Sequence, residues 1–178
     1  MKNYMVRTIE ILISAAFFFL TAIADAANLD LRGTWTLEET GKGFHCPINV
    51  PGDIHTALLE AGKIEDVRLN PDAEDVNLLA VRGDWKIYRT FELDSDFLCS
   101  KALYLRLTEV DTFCDIYING RKAGCADNRF RCHSWDVTEL LHPGNNTIEG
   151  VFHSSEMESD ARWRDYGQSV PRSVMGKL

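Results

Sequence analysis

The stretch Val110-Asp-Thr-Phe-Cys-Asp-Ile-Tyr-Ile-Asn-Gly-Arg-Lys-Ala-Gly124 alternates with a period of two and runs directly into an Asn-Gly pair. In a strand, that alternation puts Val110, Thr112, Cys114, Ile116 and Ile118 on one face and Asp111, Phe113, Asp115, Tyr117 and Asn119 on the other. Asn119-Gly120 accepts the positive φ angles of a two-residue type I′ turn, so the chain reverses there and residues 122–124 pair back. Leu103-Tyr-Leu-Arg-Leu107 alternates in the same way and is expected to supply a neighbouring strand. The remaining segments are expected to build against this hairpin.

Upstream, Leu29, Leu31, Trp35 and Leu37 keep the odd positions apolar and predict an amphipathic strand. Val50-Pro-Gly-Asp-Ile-His-Thr-Ala-Leu-Leu-Glu-Ala-Gly62 then changes the period to about 3.6. Asp53 is placed to cap a short helix, Ile54, Ala57, Leu58 and Ala61 share its face, and Gly62 stops it. Residues 63–82 are polar and weakly periodic, with a turn at Asn70-Pro71-Asp72, and read as an extended loop wrapping the sheet. Residues 85–93 resume strand composition, with Ile87, Phe91 and Leu93 in phase and Arg89 the exception.

Beyond the hairpin, Asp136 or Thr138 is expected to cap a single helical turn, and Pro143-Gly-Asn-Asn146 is a turn by composition. Ile148, Gly150 and Phe152 hold one face of a last strand, Gly150 leaving a small inward position. After Ser155 the alternation stops, and residues 156–165 are charged with no apolar period. Short strands, frequent turns and one lone helix predict an all-β fold, an antiparallel β-sandwich of the jelly-roll type.

A length of 178 residues with 45% hydrophobic content accommodates one sizeable core and a single folded domain. The 27 acidic and 19 basic side chains leave a formal charge of −8, with no Lys/Arg cluster, which argues against nucleic acid as a partner. Residues 1–26 read as a signal peptide: Lys2 and Arg7 precede the apolar run 11–20, which is followed by Ala22-Ile-Ala24 and Ala24-Asp-Ala26. That run is short for a membrane anchor, so an exported chain without an anchor is expected. Export favours disulfides, yet five cysteines leave at least one unpaired. Cys125 and Cys132 flank a turn and are candidates to pair, while Cys114 sits among Val and Ile as a small hydrophobe. The Cys and His spacing matches no zinc pattern, and no metal or other cofactor is expected.

Taken together, Leu31-Arg-Gly-Thr-Trp35, Val50-Pro-Gly52 with its helix, Asp84-Trp85 with Phe91, Val110-Asp-Thr112, Tyr117-Ile-Asn-Gly120, Asp136-Val-Thr138 and Gly144-Asn-Asn146 resemble the N-terminal, galactose-binding-domain-like jelly roll of glycoside hydrolase family 2. Within that family the pattern is most similar to the β-mannosidases, over roughly residues 29–155. Two departures stand out. Asp66-Val67-Arg68 replaces the family's Asp-Pro-aromatic step, and Trp85-Lys86-Ile87-Tyr88 replaces its Trp-x-Tyr, which is expected to shift one strand's register.

The resemblance implies a retaining exo-glycosidase that removes terminal non-reducing β-D-mannose with two glutamates on a later (β/α)8 barrel. It also implies that the chain divides into a signal peptide (1–26), the jelly roll (27–156) and a connector (157–178) toward an immunoglobulin-like domain and that barrel. No catalytic residue is therefore assigned. The expected partners are a β-mannoside glycan and the barrel of the same polypeptide. Other family 2 activities, of β-galactosidase or β-glucuronidase type, are alternatives within the resemblance. A different class of reading is a stand-alone secreted carbohydrate-binding module, for which Tyr117, Trp135 and Trp163 are the candidate sugar-stacking residues. Trp35, Trp85 and Phe113 read more simply as packing.

Overall fold

The computed structural model describes residues 28–66, 82–99 and 102–166. The signal-peptide reading, the turn at Asn70-Pro71-Asp72, the Val67-Arg68 departure and residues 167–178 lie outside them. Eight strands are described: β1 (Gly33–Glu39), β2 (His45–Val50), β3 (Trp85–Leu93), β4 (Tyr104–Leu107), β5 (Cys114–Ile118), β6 (Arg121–Ala126), β7 (His133–Asp136) and β8 (Gly144–Phe152). A six-stranded sheet has the order β2-β1-β3-β8-β5-β6, and β4 pairs with β7 in a second sheet. Every pairing is antiparallel. The two sheets enclose one core, in which Trp35, Leu37, Ile48, Trp85, Ile116, Ile118 and Ile148 of the larger sheet meet Leu103, Leu105 and Val137 of the smaller one. This is an antiparallel β-sandwich of the jelly-roll class.

The hairpin is built as its residues dictate. Asn119 and Gly120 have φ of 51° and 74°, and Ile118 pairs with Arg121 across the two-residue turn. Ile116 faces Gly124 while Tyr117 faces Lys122, so Ala123 is the extra residue of a β-bulge. Cys114, Ile116 and Ile118 are buried, whereas Asp115 and Tyr117 are half-buried on the opposite, outer face. The strand itself begins at Cys114, later than the alternation suggests.

Two expectations require correction. The segment of Leu103 to Leu107 does not lie beside the hairpin: β4 pairs with β7 in the facing sheet, because alternation identifies a strand but not its partner. The single helical turn expected near Asp136 is present, as a 3-10 turn at Thr138–Leu140 after strand β7, with Val137 at the cap position and Asp136 Oδ1 accepting from Thr138 N–H. The helix after residue 53 is not alone, since a second one, α2 (Ser155–Tyr166), follows β8. It has no apolar stripe for a periodicity argument to find. Ser154 Oγ accepts from Met157 N–H at its start, Glu156 and Glu158 lie in its first turn and Arg164 in its last, each complementing the helix dipole.

Helix α1 (Ile54–Glu60) has the expected ends. Asp53 accepts from the backbone N–H of Thr56 at 2.8 Å, which with the Thr56 hydroxyl holds the Asp53 carboxyl below its usual range. At the other end Lys63 N–H bonds Leu58 O and Gly62 N–H bonds Leu59 O, with Gly62 at φ +66°, a Schellman closure. On β3 the out-of-phase Arg89 is also explained. Its guanidinium donates to Leu31 O and Arg32 O, fastening the segment that leads into β1.

Candidate functional site

The sandwich presents one broad sheet face to the outside, made by the residues of the six-stranded sheet whose parity is opposite to the core. Register places Pro47 beside Thr36, Thr36 beside Tyr88, Tyr88 beside Glu149, Glu149 beside Tyr117 and Tyr117 beside Lys122. One row thus crosses all six strands, with Tyr88, Glu149 and Tyr117 at its centre, each half-buried.

On one side of this row lie Asn49, Thr34, Thr90 and Thr147, paired as Thr34 with Asn49 and Thr90 with Thr147. On the other side Glu38 and Lys86 form an ion pair at 3.0 Å, and Asp115 binds Lys122 at 2.8 Å with His153 Nε2 at 3.4 Å. The hydrogen bond that Lys86 donates to Glu38 raises the Lys86 pKa. For Asp115, burial pushes the carboxyl upward, but the hydrogen bonds from Lys122 and His153 outweigh it and leave the group below its ordinary value. The charges flanking the row are therefore largely neutralised in place.

The three aromatic candidates do not meet. Tyr117 is on this outer face. Trp135 points between the sheets: its β4 partner is the buried Leu105, it stacks on His133 at 5.5 Å between centroids, and the pyrrole side of its indole covers Gly124. Trp163 is on α2 and 44% exposed. Neighbouring Arg162 reaches Asp127 at 3.9 Å and lies over the Phe113 ring, fixing α2 to the end of the sandwich where β5 begins. A wide-mouthed depression of about 480 Å³ lies between Lys122, Ala123 and Asp136, Thr138, Glu139, Leu140. None of the three lines it.

The five thiols are free, so Cys125 and Cys132 do not pair; Cys132 Sγ instead accepts from Arg106 Nε at 3.1 Å. Among the described residues no group of three or more His, Cys, Asp or Glu gathers as metal ligands would. Sequence reasoning missed Tyr88 and Glu149. Their outward parity was readable from Ile87, Ile148 and Gly150, but the strand order that brings them beside Tyr117 was not.

The family model for the glycosyl hydrolase 2 galactose-binding domain-like fold matches residues 35–177. The chain belongs to this family. The glycosyl hydrolase 2 domain is 29% identical over 147 residues to a probable β-mannosidase of Caenorhabditis elegans, covering 80% of this chain and 16% of that protein. It is 28% identical over 135 residues to the β-mannosidase of Bos taurus, covering 76% and 15%. A crystal structure of the β-D-mannosidase from Dictyoglomus thermophilum superposes with a TM-score of 0.73 at 30% identity, over 79% of this chain and 17% of that one. The exo-chitosanase CsxA of Amycolatopsis orientalis shares the fold at a TM-score of 0.62 and 18% identity, over 71% and 17%. The domain thus spans about one sixth of the length of the curated relatives it matches.

Proposed function

We propose that this domain is the N-terminal part of an exported, exo-acting, retaining β-mannosidase that releases terminal non-reducing β-D-mannose, and that its role is to brace the catalytic barrel and wall the active-site side. The observation that carries this reading is the agreement of the two kinds of relative. The curated relatives quoted above are named β-mannosidases, and the better of the two quoted superpositions is also on a β-mannosidase.

The exposed apolar side chains support a bracing role. Phe130 on the β6–β7 loop, and Met157 and Trp163 on α2, lie toward the end of the sandwich where β8 runs into α2, tied there by the Arg162–Asp127 pair. An apolar rim at that end suits packing against a following domain. The division into a leader (1–26), a sandwich (27–156) and a connector (157–178) belongs to the same proposal, as does export through the leader.

The test is to recover the native product from its source with an antibody against the Asn119 hairpin, then to measure its intact mass, its N-terminal sequence and its turnover of an aryl β-mannoside. A species several times heavier than this chain, starting at Ala27 and hydrolysing the mannoside, is the expected result. Turnover by the purified 178-residue chain alone, or a native product that cleaves aryl β-glucuronides or β-galactosides but not β-mannosides, overturns the reading.

A further inference from the structure

The centre of the row across the outer face is built by three strands that are not consecutive in the chain. Tyr88 on β3, Glu149 on β8 and Tyr117 on β5 stand side by side in register. With neighbouring strands about 4.8 Å apart, the two tyrosines are separated by about 9.6 Å across the sheet. That is roughly the advance of a β-1,4-linked disaccharide. At that spacing the Tyr117 ring and the face of Tyr88 turned away from Lys86, whose Nζ lies 5.1 Å from the Tyr88 centroid, offer apolar platforms to the C–H faces of alternate sugar rings, and the carboxylate between them offers acceptors for their hydroxyls.

The surroundings favour a neutral polyhydroxylated ligand over a protein. The border on one side is made of Thr34, Asn49, Thr90 and Thr147, short side chains that both donate and accept. On the other border the charges are already paired, Glu38 with Lys86 and Asp115 with Lys122. Glu149 shares the field of Lys86, whose ammonium is hydrogen-bonded to Glu38, so the Glu149 oxygens keep acceptor capacity for hydroxyls. Apart from Val151 and Pro47 the central face carries no aliphatic patch, whereas the core of a protein interface is depleted in charge and apolar.

We propose that the outer face of the six-stranded sheet binds a segment of β-1,4-linked mannan laid across the strands, with Tyr88 and Tyr117 as stacking platforms and Glu149 as the hydroxyl acceptor between them. The identity of the sugar rests on the β-mannosidase reading; the site itself rests on the register. It is an anchoring site for a chain, separate from any bond cleavage.

The experiment is a chemical-shift titration of the isotope-labelled 178-residue chain with β-1,4-mannotetraose, and with maltotetraose as control. Saturable shifts centred on β3, β8 and β5, seen only with the mannan oligosaccharide, are expected. Tyr88→Thr and Tyr117→Thr keep a strand-favouring residue and are each expected to weaken binding about tenfold, Glu149→Gln severalfold, while Tyr88→Phe and Tyr117→Phe retain most of it. Absence of shifts at millimolar sugar, shifts confined to the Trp135 edge or the Phe130 loop, or affinity unchanged in the folded threonine variants each overturns the proposal. The shift map requires no variant, so a variant that fails to fold leaves the test standing. A native product that hydrolyses aryl β-mannosides while the chain ignores mannotetraose overturns this inference alone.

Discussion

Asn146 is 1% exposed, and its side-chain amide uses its whole hydrogen-bonding capacity. Its oxygen accepts from Asn119 Nδ2 at 2.8 Å and from His142 N–H at 3.1 Å, while its nitrogen donates to His142 O and Gly144 O. Asn119 in turn donates to Leu140 O and accepts from Thr147 N–H, so the hairpin turn is latched to the start of β8. Replacing Asn146 by Ala orphans several of these buried groups at once. The expected cost is about 2–3 kcal/mol, read from urea denaturation of the variant. Gly124 is constrained differently: a Cβ there would overlap the pyrrole ring of Trp135. Gly124→Ala must displace the indole, and an expected loss of about 1–3 kcal/mol should accompany a red-shifted tryptophan emission. An unshifted spectrum with full stability would contradict the packing of Trp135 between the sheets.

Among the elements, the two helices show how differently ends and faces encode structure. Helix α1 buries Ala57 and Leu58, and both its cap and its glycine stop were legible. Asp53→Ala is expected to cost about 1 kcal/mol in thermal denaturation, since it frees the Thr56 N–H. Helix α2 carries no apolar face to announce it. It is held by single contacts instead: Arg82 with Glu156, Arg162 with Asp127, and Ser154 at its cap with its own N–H bonded to Asp84. Exposed pairs of this kind contribute little each, so α2 is expected to exchange its amide hydrogens well before the strands. Protection in α2 equal to that of β8 would show a tighter attachment.

At the scale of the whole molecule, stability should fall at both ends of the pH range. Asp53, Asp115 and Asp136 are held below their usual values, and Asp30, hydrogen-bonded by Arg32, is lowered to about 2. A depressed carboxyl stabilises the fold above its unfolded pKa, about 3.9 for Asp, and that contribution is lost as pH falls through the folded value. On the alkaline side, burial and then the Asp115 charge push the Cys114 thiol up to about 12. A raised pKa stabilises fully below the unfolded value of about 8.5 and the benefit is lost as pH rises toward 12. The melting temperature should therefore be flat near neutrality and drop below about pH 4 and above about pH 8.5. Cys114→Ala should flatten the alkaline arm, and an unchanged arm would assign that loss to other groups.

The strands around the Asn-Gly turn, the capped helix after Asp53 and the small inward Gly150 were determined locally. Period-two alternation, a carboxylate cap and a positive-φ glycine each act within a few residues, and local chemistry suffices to specify them. The many short motifs in order were also enough to indicate the family. Which strands became neighbours was decided only by tertiary structure. β4 crossed to the facing sheet, and β8 came to lie between β3 and β5. Burial dictates which side of a strand turns inward, but the pairing partner depends on how all the apolar faces close on one core. The same closure separated Trp135 from Tyr117 and set Glu149 between two tyrosines that the chain keeps 29 residues apart.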